Sequence, residues 1–275
     1  MSGPIDLTAY CERIGYAGAA EPDLATLFAL HRAHLLAIPY ENLDVQLGRP
    51  LTPDAHAAFD KLVRRRRGGW CYEMNGTFGL VLEAIGFRVT RLAGAVMREI
   101  LGEVNQGSHL VLRVDLDEPW IADVGYGDGP MDPFQIRPGA FSQRGFPFGW
   151  EATDDGWWRL RNHPHAPRSF DLKLEPADEA LLARRCGELQ TIPQSPFTQN
   201  VIVQRYTPTG LMVLRNRTLR RIEPQGVEDS AIDDADQLMD VLREVFALDV
   251  PEARGLWPKI EKMHEAQPAN PPPSA

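Results

Sequence analysis

The feature that most limits the fold of this chain is a change of hydrophobic period near Gly86-Phe87. Before it, apolar residues recur at helical spacing; after it, short alternating runs are cut by Gly, Pro, Asp and Asn. Asp23 is placed to cap a helix carrying Leu24, Leu27, Phe28, His31 and Leu35, which must end before Ile38-Pro39. Thr52-Pro53 predicts a second start, with Phe59, Leu62 and Val63 inward. A third helix is expected from Cys71, with Met74, Phe78, Val81, Leu82 and Ile85 on one side and Gly86 as its left-handed terminator. From Phe87 to about Leu189, runs at 88–98, 109–114, 120–124, 156–161 and 169–174 read as strands of an antiparallel barrel or sandwich. The remainder mixes strands at 201–205, 210–214 and 219–222 with helices at 233–248 and 251–265. The expected class is α+β, in three parts at 1–86, 87–189 and 190–275, with a disordered proline-rich tail from Gln267.

A formal net charge of −9 opposes a dominant nucleic-acid role, because phosphate binding needs a basic field. No apolar run is long enough to span a bilayer, and the first residues do not read as a signal peptide, so a cytoplasmic protein is expected. The three cysteines, Cys11, Cys71 and Cys186, are odd in number and far apart. They form neither a disulfide framework nor a metal-site spacing, so no metal is expected and each is read as a free thiol.

Cys71 differs from the other two. Gly68-Gly69-Trp70 precedes it and an amphipathic helix follows, which puts the sulfur where unpaired N–H groups and the helix dipole favour a thiolate and an oxyanion. Such a helix start also serves as an ordinary structural turn, so a base must be found. His31 and His34 lie on an apolar helical stripe and read as satisfied core residues; His163 and His165 sit in a polar loop. His109 opens a strand and is the candidate. A hairpin turning through Asp115-Leu116-Asp117 pairs Val114 with Glu118 and sets His109 opposite Asp123. A loop of even length would put Asp123 on the other face.

These residues resemble a known pattern. Arg67-Gly-Gly-Trp-Cys71-Tyr-Glu-Met-Asn75, then His109, then Asp123-Val-Gly-Tyr-Gly127 is similar to the core of the arylamine N-acetyltransferase family. Arg13-Ile-Gly-Tyr16, Leu30-His31-Arg-Ala-His34, Ile38-Pro-Tyr-Glu-Asn-Leu-Asp44, Ser195-Pro-Phe-Thr198 and Leu214-Arg-Asn-Arg217 extend the likeness along most of the chain. The resemblance implies an N-terminal helical bundle, a central β-barrel and a C-terminal α/β lid. It also implies a catalytic triad carried by Cys71, His109 and Asp123. By that likeness acetyl-CoA is the donor co-substrate, and arylamines, arylhydrazines or N-hydroxyarylamines take the acetyl group in ping-pong order. Tyr40 and Tyr126 stand where many relatives have Phe, and with Val96 they are expected to wall the acceptor pocket.

Within the run Arg64–Arg67, three arginines read as a solvated face, while Arg67 by resemblance pairs with Glu41 and braces the turn. CoA phosphates need arginine or backbone N–H partners. With no phosphate-binding glycine motif present, the segment from Met97 through Gly102 to Gly107 is the expected CoA site. The same triad serves cysteine amidases and amide synthases, which differ only in what attacks the acyl-thioester; a non-catalytic module on this fold has no need of all three residues. Oligomeric state is not legible.

Overall fold

The computed structural model describes residues 4–166 and 169–265. The N-terminal part contains α1 (Leu7–Ile14), α2 (Leu24–Ala37), a two-residue strand β1 (Tyr40–Glu41), α3 (Leu43–Gln46), α4 (Ala55–Phe59), a π-helical turn (Asp60–Arg64) and α5 (Cys71–Ile85). Asp23 Oδ1 accepts from the Thr26 amide at 2.7 Å and starts α2. The second start is corrected: Asp54, not Thr52, caps α4, accepting from His56 N at 2.9 Å, while Thr52 Oγ1 supports the Asp54 amide. α5 begins at Cys71 and stops at Gly86, whose φ of 112° lies where a side chain is strained. Met74, Phe78, Val81 and Leu82 of α5 pack in one core with Leu27, Leu30 and Leu35 of α2. Leu112 and Val114, from the strand that carries His109, complete that core. Each such side chain contributes roughly 1.5–3 kcal/mol on full burial, so the helix behind Cys71 is locked to the strand behind His109.

The middle of the chain supplies β2 (Arg88–Val96), α6 (Arg98–Leu101), β3 (His109–Asp115), β4 (Pro119–Ala122), β5 (Phe134–Gln135), β6 (Gly139–Gln143), β7 (Phe146–Ala152), β8 (Trp158–Arg161) and β9 (Ser169–Leu172). They form one antiparallel sheet in the order β5-β4-β3-β2-β9-β8-β7-β6. The expected barrel is instead a curled sheet: edge strands β5 and β6 are not hydrogen-bonded, and Phe134 stacks on Phe141 at 5.3 Å to draw them together. The hairpin β6–β7 had no expectation behind it; Phe146-Pro-Phe-Gly149 lacks clean alternation.

The last part contains α7 (Glu179–Leu189), α8 (Pro196–Gln199), β10 (Ile202–Tyr206), β11 (Leu211–Arg215), β12 (Thr218–Glu223), β13 (Gly226–Ala231), α9 (Ala235–Glu244) and α10 (Trp257–Glu265), the last preceded by a 3-10 segment Pro251–Leu256. The sheet order β1-β10-β11-β12-β13 makes the N-terminal Tyr40–Glu41 the edge strand of this C-terminal sheet. The turn before Cys71 therefore sits against the C-terminal sheet. The expected disordered tail lies outside the described residues.

Candidate active site

Neither glycine before the cysteine leaves room for a side chain. A Cβ on Gly68 would lie 2.3 Å from the Pro39 carbonyl, and one on Gly69 would lie 2.8 Å from Glu73 Cβ. Gly69 N donates to Pro39 O at 3.3 Å, and Glu41 N donates to Gly69 O at 3.0 Å, bridging the turn to β1. Trp70 is extended, its amide donates to Glu73 Oε2 at 3.3 Å, and the chain enters α5 at Cys71. Glu73 thus caps its own helix from the third position.

Cys71 is 3% exposed and His109 2%. The sulfur contacts the Ser108 carbonyl at 3.9 Å, immediately before His109. Burial pushes the Cys71 thiol up, and the amides of Leu110 and Tyr72 pull the other way. His109 Nε2 lies 2.6 Å from Asp123 Oδ2, while Asp123 Oδ1 accepts from Asn75 Nδ2 at 2.7 Å and from Gly125 N at 2.9 Å. Burial alone would raise the Asp123 carboxyl; His109, Asn75 and Gly125 reverse that and hold it below its ordinary value. Gly125 is pressed against the nucleophile, since a Cβ there would lie 2.8 Å from Cys71 Cα.

The hairpin register differs from expectation by two residues. Asp115 pairs with Pro119 and Leu112 with Ala122, so the loop is Leu116-Asp117-Glu118 and Val111, not His109, falls at the level of Asp123. Pro119, which cannot donate, takes the first strand position and moves the turn along. A shift of two preserves the face, so Asp123 still reaches the imidazole, diagonally from beyond the end of the ladder.

The remaining expected residues divide. Tyr126 lies edge-on to His109 at 5.2 Å and 4.8 Å from the Phe170 ring, and Val96 pairs with Phe170 in the ladder. Tyr40 shares an apolar cluster with Trp70, Cys71 and Tyr72. Met97 holds a left-handed φ of 53° and donates to Ser169 O at 2.9 Å. Gly102 opens onto free space, whereas a Cβ on Gly107 would lie 3.0 Å from Leu181 and 3.1 Å from Arg185 of α7. Arg98, the cation of this segment, is turned to Asp171 and Asp155 at 2.8 Å and stacks over Trp157 at 4.4 Å. Arg67 Nη2 lies 2.7 Å from Glu41 Oε1 and 3.2 Å from Asp44 Oδ1.

Sequence reasoning passed over several residues. Lys61 Nζ sits 2.8 Å from Asp44 and 2.9 Å from Glu73, completing a buried ionic cluster under the turn. No local pattern announces pairs that far apart, although Glu73 stands three residues after Trp70, where a cap is expected. Asn75, one turn after Cys71, was legible by spacing: it bonds Leu110 O, Asp123 and Val124 N. Among the described residues no group of three or more His, Cys, Asp or Glu is arranged to hold a metal, and no helix is long and apolar enough to cross a membrane.

A buried thiol at a helix start, against the carbonyl that precedes a carboxylate-bound imidazole, is an arrangement suited to acyl transfer. A family model described as N-acetyltransferase matches residues 23–254. An arylamine N-acetyltransferase of Mycolicibacterium smegmatis is 34% identical over 91% of this chain and 94% of its own length. An arylamine N-acetyltransferase / N-hydroxyarylamine O-acetyltransferase of Salmonella typhimurium is 33% identical over 90% of each. The structure of the Mycobacterium marinum arylamine N-acetyltransferase in complex with CoA superposes with a TM-score of 0.85 at 31% identity, covering 94% of this chain and 99% of that one. The chain belongs to the arylamine N-acetyltransferase family and is an acyltransferase.

Proposed function

We propose that the protein moves an acetyl group from acetyl-CoA to the nitrogen of an arylamine, arylhydrazine or N-hydroxyarylamine, in two half-reactions through Cys71. The observation that carries this reading is the 2.6 Å bond from His109 Nε2 to Asp123, one residue from the Ser108 carbonyl that touches the Cys71 sulfur. With Nε2 committed, Nδ1 is the ring nitrogen that serves the thiol, and the ionised Asp123 stabilises the imidazolium that results.

In the first half-reaction His109 takes the Cys71 proton, the sulfur bonds to the acetyl carbonyl carbon, and the carbon–sulfur bond to CoA breaks. The proton passes to the departing CoA thiolate, which leaves as the thiol. In the second, the acceptor nitrogen bonds to that carbon, the bond to Cys71 breaks, and His109 carries the nitrogen's proton back to the sulfur. The amides of Leu110 and Tyr72 that face the sulfur favour the thiolate form against the burial that opposes it.

Tyr126, Val96 and Tyr40 are the proposed acceptor walls, and the Met97–Gly107 segment is the proposed CoA site. There the open Gly102 backbone and the exposed side chains of Ile100, Leu101 and Val104 are the parts available to a ligand. Arg98 is already neutralised by Asp155 and Asp171, so phosphate contact on this segment falls to backbone N–H groups. Arg67 and Glu41 brace the turn, acting through the backbone that holds Cys71.

The test is the mass of the protein after incubation with acetyl-CoA alone, the adduct mapped by peptide. An acetyl group on the Cys71 peptide, discharged by an added arylamine, is the expected result. CoA release at full rate without any amine identifies a hydrolase instead, and turnover retained by Cys71→Ala removes the proposed nucleophile.

A further inference from the structure

His31 stands on α2, remote in sequence from every residue that carries the chemistry, and is 1% exposed. Its ring makes two hydrogen bonds of opposite sense. Nδ1 lies 2.9 Å from the Met131 carbonyl, which can only accept, and Nε2 lies 3.1 Å from the Asp123 amide, which can only donate. Only the neutral ring with its proton on Nδ1 satisfies both. The two partners are the first and last residues of Asp123–Met131, the segment that also carries Tyr126 and the Gly127 turn.

We propose that His31 is a positioning residue that clamps both ends of this segment, setting the Asp123 carboxylate at one end and the acceptor wall around Tyr126 through the other. The inference rests on the reading of Asp123 and Tyr126 given above. The neighbouring Arg32 reinforces the far end, its guanidinium bonding Asp132 Oδ1 at 2.7 Å. The imidazole and the Phe78 ring meet in a T-shaped pair with centroids 5.7 Å apart, so aromatic packing fixes its plane while the two bonds fix its rotation. Asp123 and Asp132 are the acidic groups facing the ring, and His34 and Phe78 are the other neighbours on its packed sides. Burial outweighs those carboxylates and pushes His31 down to about 4, which keeps Nε2 bare across the neutral range. Met131 is itself buried in the core with α2, so this end of the clamp is tied to packed structure.

The two bonds can be removed separately, because an asparagine amide occupies the place of Nδ1 and a glutamine amide the place of Nε2. His31→Asn retains the Met131 bond and drops the Asp123 one. It should slow acetylation of Cys71, read as the single-turnover release of CoA, by about tenfold while leaving the acceptor KM within about twofold. His31→Gln retains the Asp123 bond and drops the Met131 one. It should raise the acceptor KM by about threefold or more with acetylation near the unsubstituted rate. A purely packing role would slow acetylation and raise the acceptor KM together in both variants, and that pattern overturns the inference, as does a pair of folded variants unchanged in either. Where a variant does not fold, nitrogen-15 histidine spectra of the unsubstituted protein decide. A neutral Nδ1–H ring for His31 at neutral pH is expected, and an Nε2–H or doubly protonated ring overturns the clamp. The unsubstituted protein's acetyl adduct at Cys71 is measured alongside, so failure of the enzyme reading appears there and failure of the clamp appears only in the variants.

Discussion

Two buried polar clusters flank the start of α5, and they solve the burial of charge in opposite ways. Beneath the turn, Lys61 and Arg67 face Glu41, Asp44 and Glu73, so carboxyl groups are met by full positive charges. Above it, Asp123 has no lysine or arginine partner among the described residues; it is held by amide donors from Asn75 and Gly125 and by a histidine. The first arrangement is closed, since each carboxyl group has a cation within 2.9 Å, with Lys61 shared between Asp44 and Glu73. The second sets one negative charge, held by amide donors, against the His109 ring, where on the proposed reading it stabilises a proton taken from the cysteine. One cluster holds the cysteine, and the other, on the proposed reading, activates it.

Asp123→Asn is the strongest way to break the comparison. It keeps the shape and most of the donors' partners but removes the charge and can select the wrong ring tautomer. We expect turnover to fall by about three to four orders of magnitude, as isosteric loss of a triad carboxylate does elsewhere, with a melting temperature within a few degrees. Steady-state kinetics beside calorimetry checks it; a large drop in melting temperature with modest loss of turnover would make Asp123 a support residue. Lys61→Met is the converse. It leaves Glu73 without its cation and Asp44 and Glu41 with arginines only, and breaking a buried pair in this way costs roughly 3–5 kcal/mol. Chemical denaturation should show that loss, while the surviving folded fraction at low temperature keeps most of its rate of Cys71 acetylation. A stable but inactive variant would show that the lower cluster takes part in the chemistry.

Gly68→Ala sharpens the boundary between the two. Its Cβ would meet the Pro39 carbonyl at 2.3 Å, which forces β1 away from the turn. The expected cost is about 1–3 kcal/mol of stability, together with a fall in acetylation rate because Cys71 moves with its turn. Unchanged iodoacetamide reactivity at Cys71 would show that the nucleophile's place does not depend on β1.

The clusters also differ in how far the sequence revealed them. Cys71, His109 and Asp123 were legible because each occupies a position with its own local grammar: a glycine turn into an amphipathic helix, the opening of a strand, the mouth of a hairpin. The exact pairing was not, since Pro119 moved the turn by one residue and the register by two, and only the parity of the register survived. The helical first third and the α2 and α5 boundaries followed from spacing and caps. The openness of the sheet did not, because whether β5 and β6 pair depends on curvature and the Phe134–Phe141 stack, not on local pattern. Lys61 reads on its own as one lysine in a basic run, and its burial is fixed only when α3, the π-helical turn and α5 converge. The attachment of β1 to the C-terminal sheet was invisible for the same reason: two residues carry no period.

The smallest expected effect concerns pH. Lys61 serves three carboxylates and stays charged, but Glu73 shares that cation with Glu41 and Asp44. Burial, offset only in part by Lys61 and the Trp70 amide, pushes Glu73 up to about 7 from an ordinary 4.5. A carboxyl whose folded value lies above its unfolded value favours folding most where it is protonated in both states. That contribution is full below about 4.5, declines as pH rises toward 7, and is absent above it. Glu73→Gln removes the ionisation while keeping an oxygen for the Trp70 amide. Its melting temperature relative to the unsubstituted protein should therefore rise between about pH 5 and pH 8, by a few degrees at most because Lys61 loses a partner at the same time. The opposite slope, with Glu73→Gln losing ground as pH rises, would mean that the Lys61–Glu73 pair stabilises the ionised form. The lower cluster would then be a net source of stability at neutral pH, and its contrast with the amide-held Asp123 would narrow to geometry alone.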